Sequence, residues 1–99
     1  MLIHMFVFRW HEHATAVDKA RAIADIRGFA GAIPGLLEVH VGSNFSRHRS
    51  VYESGGVMKF ADEAALLAYN SHPLHLALLD WLVPLIEPIE IDFHSSSPR

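Results

Sequence analysis

The chain has no cysteine, so neither a disulfide nor a thiolate metal site is available to it. Basic residues are few: eight Lys and Arg stand against eleven Asp and Glu, for a formal net charge of −3. Those eight are scattered along the chain, which argues against a general nucleic-acid surface. No apolar run is long enough to span a bilayer. The opening Met1-Leu2-Ile3-His4 lacks the basic n-region and small-residue cleavage site of a signal peptide. These absences predict a soluble cytoplasmic protein that binds neither nucleic acid nor membrane. With 99 residues there is room for one domain, read as residues 1–94, followed by a loose tail at 95–99.

Apolar surface and histidine are what the chain has in excess. Hydrophobic residues make up 51% of the sequence and the mean hydropathy is +0.19, more than a core of this size hides. A second copy of the chain is the simplest cover. Histidine occurs eight times, at positions 4, 11, 13, 40, 48, 72, 75 and 94.

Leu2 to Trp10 reads as a strand with two greasy faces: Ile3, Met5 and Val7 on one, His4, Phe6, Phe8 and Trp10 on the other. Thr15, with Asp18 three residues on, starts an amphipathic helix. Its apolar positions run from Ala16 through Ile26 to Ile33, and Gly31 and Pro34-Gly35 end it. Leu36 to Ser43 and Ser50 to Phe60 read as strands. Gly55-Gly56 in the second of these predicts either a bulge or a place where something approaches the backbone. Asp62 caps a short helix, Pro73 opens a second, and Leu74 to Val83 is apolar nearly all round. Ile89 to His94 forms the last strand.

The order is strand, helix, strand, strand, helix pair, strand, a ferredoxin-like α+β fold, βαββ(αα)β, with a four-stranded antiparallel sheet. Right-handed crossovers put all helices on one face of the sheet. The other face, expected to carry Phe6, Phe8 and Trp10, is then bare unless a partner's sheet covers it.

The segment Tyr69-Asn70-Ser71-His72-Pro73-Leu74-His75 resembles the Tyr-x-x-His-Pro-x-His signature of the stress-responsive A/B barrel family. His4, Ile33-Pro34-Gly35, Gly42, Asn44 and Ile91-Asp92-Phe93 fit the same pattern, so the resemblance spans residues 2 to 94. It implies a homodimer in which two four-stranded sheets enclose an α+β barrel. Some plant members are polyketide cyclases that close a poly-β-ketone without metal or organic cofactor. In them, a His and a Tyr matching His75 and Tyr69 act as base and acid. Cyclase-type members can carry another histidine near the position of Ser54, where this chain has serine. The resemblance extends loosely to cofactor-independent monooxygenases.

His75, near the start of an apolar helix, is a candidate base for removing a proton α to a carbonyl. Asp92, on a strand expected to lie beside the first, is its candidate partner, with His4 close by. The alternative is that His75 caps local backbone and Asp92 orders it. Tyr69 is a candidate hydrogen-bond donor to an enolate oxygen, or a core tyrosine with its hydroxyl at the surface. Phe6, Phe8 and Trp10 are expected either to pack as core or to line a ligand cavity, and His40 and Ser54 to face the same interior.

His72 is read as a helix boundary rather than a metal ligand. His11-x-His13 and the trio Arg47, His48 and Arg49 are read as solvated loops. The expectation is a homodimer with a small-molecule pocket in each protomer and neither metal nor cofactor. Its function would be cofactor-independent acid/base chemistry, of the cyclase or aldol type, on a carbonyl-containing aromatic or polyketide-like molecule. The alternatives are a non-enzymatic dimer that binds a metabolite or a protein, and a cofactor-free oxygenase.

Overall fold

A computed structural model describes residues 1–48 and 51–96. The strands are β1 (Leu2–Trp10), β2 (Leu36–Ser43), β3 (Tyr52–Phe60) and β4 (Ile86–His94). The helices are α1 (Ala16–Arg27), α2 (Glu63–Asn70) and α3 (Pro73–Leu82), and a 3₁₀ turn at Val83–Leu85 leads into β4. The sheet runs in the order β2-β3-β1-β4 with every pair antiparallel. This is the ferredoxin-like α+β arrangement, and its strand order follows from two crossovers on the same side.

Thr15 closes a capping box at the start of α1. Its hydroxyl accepts from the Asp18 backbone N–H, and the Asp18 carboxylate accepts from that of Thr15. Those hydrogen bonds hold the Asp18 carboxyl below its ordinary value. The helix stops at Arg27, earlier than the apolar spacing suggests. Residues 28–35 continue as turns that still bury Phe29 and Ile33, so the periodicity outlasts the helix. Gly35 ends the turn at φ +82°, where an added Cβ would lie 2.5 Å from that of Ala65. Only glycine meets both demands. β4 begins three residues before the expected Ile89, because an edge strand tolerates Pro88.

The helix-covered face of the sheet corrects the reading of β1. His4, Phe6, Phe8 and Trp10 are buried beneath the helices, with Phe6, Phe8 and Trp10 packed with Ile26, Leu78 and Leu82. Phe6, Phe8 and Trp10 are therefore not on the bare face. That face carries Met5 and Val7 of β1 with Ile89, Ile91 and Phe93 of β4, all exposed. Register decides the matter: Met5 lies opposite Ile91 and Val7 opposite Ile89, while His4 lies opposite Asp92 and Phe6 opposite Glu90. Side chains directly opposite share a face, so Glu90 and Asp92 of β4 go inward and Ile89, Ile91 and Phe93 outward.

Gly55 and Gly56 sit in regular register opposite Val7 and Phe6, and the irregularity in that pairing falls at Phe8/Arg9. What approaches the backbone is the Phe6 ring. A Cβ on Gly56 would come within 2.6 Å of it and 2.4 Å of the His40 carbonyl oxygen.

Candidate active site

Between the helices and the sheet lies a cavity of about 50 Å³ on which His4, Tyr69, His75 and Glu90 converge. Phe6, Phe8, Met58, Leu78, Leu82 and Ile86 are among its apolar walls. Val83, Pro88 and Glu90 are the exposed members of the lining and form its rim.

Local sequence builds the first half of the site. The helix pair breaks at Ser71-His72, and Pro73 opens α3 with His72 as its N-cap, the His72 Nδ1 accepting from the Leu74 N–H at 3.1 Å. The break leaves the Asn70 carbonyl at the end of α2 without a helical donor. His75, in the first turn of α3, fills that vacancy through Nδ1 at 3.1 Å. A carbonyl can only accept, so Nδ1 carries the proton and Nε2 of the neutral ring keeps its lone pair. Burial lowers the His75 pKa, the Asn70 bond and the charge of Glu90 pull it upward, and His4 adds a smaller push downward. The downward effects prevail, which favours the neutral ring.

Tyr69 stacks on His75 with ring centroids 4.1 Å apart and a 30° tilt, and it also touches His4, Phe29 and Phe60. Burial, and then the charge of Glu90, raise its pKa well above the ordinary 10. The phenol therefore stays protonated. Among the described residues its hydroxyl has no hydrogen-bond partner, yet no fully buried side-chain polar atom is left unsatisfied. The hydroxyl is therefore not fully buried, and Tyr69 is one of the residues that line the cavity.

Pairing of β1 with β4 supplies the second half. The buried His4 donates through Nδ1 to Asp92 at 2.5 Å, and its ring lies 6.2 Å from that of Tyr69. Asp92 itself sits behind His4, outside the cavity lining.

The proposed ligand-binding set divides. Phe6 and Phe8 line the cavity, whereas Trp10 does not; its indole N–H donates to the buried Ser54 hydroxyl at 2.9 Å. Ser54 thereby satisfies a core indole. His40 does not share that interior: it is exposed on the opposite sheet face, 3.4 Å from Glu38, because its partner in the register is Val57. His40 borders instead a broad trough of about 600 Å³ on the uncovered face, with Met5, Val7, Gly55 and Val57. That trough is larger than the cavity and is lined also by Tyr52, but among the described residues the Tyr52 and His40 rings make no stacked contact like that of Tyr69 and His75.

Glu90 was not singled out in the sequence. The signal was present, since alternation along β4 places it with Asp92 and opposite Phe6. The rings of His11 and His13 lie parallel, 5.8 Å apart, beside β1. Arg47 and His48 are exposed, and Arg49 lies outside the described residues. Among the described residues no three His, Asp or Glu side chains gather as a metal site, and no helix is long and apolar enough to cross a membrane.

The profile of the stress-responsive A/B barrel domain matches residues 2–95. No curated protein matches the chain. Among solved structures, a Dabb family protein of Mesorhizobium loti with a ferredoxin-like fold is 30% identical, with 97% of each chain covered and a TM-score of 0.78. A dimeric ferredoxin-like protein of unknown function from Thermobifida fusca is 25% identical over 93% of this chain and 88% of its own, with a TM-score of 0.84. The hydroxynitrile lyase of Passiflora edulis is 15% identical over 98% of this chain and 96% of its own, with a TM-score of 0.78. At that identity the likeness is one of fold.

Proposed function

The chain belongs to the stress-responsive A/B barrel domain family, and from that premise we propose that it is a cofactor-independent acid/base catalyst acting on a carbonyl-containing small molecule. The observation that carries this reading is the bond from His75 Nδ1 to the Asn70 carbonyl, which leaves the Nε2 lone pair on a ring that lines the same cavity as Tyr69, whose hydroxyl has no partner among the described residues. In the proposed reaction, Nε2 takes the proton from the carbon α to the carbonyl. The electron pair moves onto the carbonyl oxygen, and Tyr69 donates a hydrogen bond to that developing enolate. The enolate then attacks a second carbonyl, as in a cyclisation, and the alkoxide so formed takes the proton from His75 Nε2. Without a second carbonyl the enolate carbon takes that proton back. His4, held by Asp92, positions the aromatic wall against which Tyr69 rests.

An aromatic or polyketide-like substrate would place only its reacting end in about 50 Å³ and extend past the rim at Val83 and Pro88. We further propose a homodimer through the uncovered sheet face. Its support is the exposed row of Met5, Val7, Ile89, Ile91 and Phe93 and the dimeric relative from Thermobifida fusca.

The test is α-proton exchange in D₂O, followed by ¹H NMR with butanone as probe. Accelerated exchange that disappears in His75→Ala supports the reading. Equal rates in the two proteins exclude His75 as the base. The small cavity favours a second reading, a dimer that binds a metabolite or a protein without turning it over. That reading predicts no acceleration in either protein.

A further inference from the structure

Among the described residues, the cavity that holds His75 and Tyr69 contains no lysine or arginine, and its one carboxylate is Glu90. Glu90 stands on β4 opposite Phe6, at the exposed rim. It takes part in no ion pair or hydrogen bond among the described residues. Arg9 and Arg21 are engaged elsewhere. Arg9 pairs with Glu87 at 3.1 Å, and Arg21 lies over the Trp81 ring and beside Asp25. Asp92 is occupied by His4.

We propose that Glu90 is a specificity-determining residue that admits neutral carbonyl compounds to this cavity and turns carboxylates away. The inference rests on reading the cavity as the substrate site and adds the charge class of the substrate. A carboxylate entering here gives up its water for an apolar wall with no cation to meet it. It does so beside a fixed negative charge whose field is only partly screened at the rim. His75, kept neutral by burial, offers no compensating charge. A neutral carbonyl meets none of these penalties, and its oxygen finds the Tyr69 hydroxyl. Glu90 thus acts on which molecule enters, and the proton transfer is left to His75.

The experiment uses propionamide and propionate, which share size and shape and differ in charge. Each is titrated into the full-length protein at pH 7.5, with the ring resonances of Tyr69 and His75 followed by NMR. The wild-type protein should bind the amide more tightly by about tenfold, the order of one partly screened like-charge contact. In Glu90→Gln the preference should shrink to the part that desolvation alone leaves, with an unchanged melting temperature showing that the fold is kept. Equal affinities in the wild-type protein, or a preference undiminished in Glu90→Gln, overturn the proposal. If the preference is absent while α-proton exchange proceeds, Glu90 loses its role and the catalytic reading stands. If neither ring responds to either compound, the substrate site falls, and the selectivity with it.

Discussion

His75 and Asn70 are joined across the break between α2 and α3, the imidazole Nδ1–H donating to the carbonyl at 3.1 Å. The bond ties the tautomer of the ring to the way a helix ends. A change that moves the break removes the carbonyl that fixes which nitrogen carries the proton.

Tyr69→Phe removes one hydroxyl and keeps the ring that stacks on His75. If that hydroxyl steadies the enolate oxygen, α-proton exchange should fall by about 10²-fold, as for the loss of one oxyanion donor. The melting temperature should hardly move, because the hydroxyl has no partner among the described residues. NMR exchange rates and a thermal melt on the same preparation separate the two effects.

The pH dependence follows from His75, whose pKa burial holds below the ordinary 6.5. The acid limb of the rate should therefore have its midpoint below pH 6.5. The unfolded chain takes up a proton near pH 6.5 that the folded chain declines until a lower pH. The His75 contribution to stability is full above pH 6.5 and is lost as pH falls through the native value. Melting temperatures across this range should decline less steeply in His75→Gln than in the wild-type protein. Parallel declines would contradict the assignment.

Gly56→Ala should destabilise the fold by about 1–3 kcal/mol, the usual range for overpacking. The added carbon would sit 2.4 Å from the His40 carbonyl oxygen, which is backbone and cannot swing aside. Gly42→Ala is the control, since nothing lies within 4 Å of its added carbon. Urea unfolding of the pair should give a shifted midpoint for Gly56→Ala alone.

Ile91→Asp puts a charge in the middle of the exposed apolar row, opposite Met5. If two copies meet through that row, sedimentation should change from twice 11.1 kDa in the wild-type protein to 11.1 kDa in the variant. A wild-type protein already at the single-chain mass would remove the proposed dimer.

Much of this was legible in the residues. The alternation in β2 and β4 and the order of elements lead to the ferredoxin-like arrangement, and Tyr69 through His75 mark the helix break that builds half the site. Other features were not legible. α1 stops at Arg27 although its apolar spacing continues to Ile33, because turns bury Phe29 and Ile33 as well as a helix would. In β1 both faces are apolar, so period-2 alternation alone cannot say which one meets the helices. Only the packed structure shows that Phe6, Phe8 and Trp10 lie on the helix-covered side.

The sequence by itself determined what is local. Pro73 and the cap at His72 stop one helix and start the next, and five residues separate His75 from the carbonyl it binds. Tertiary structure decided the rest through strand register. It set His4 against Asp92, 88 residues away, and turned Glu90 toward the cavity and Ile91 away from it. Successive side chains on a strand point to opposite faces, so a shift of one residue would exchange the two. Only the pairing of β1 with β4 makes that choice.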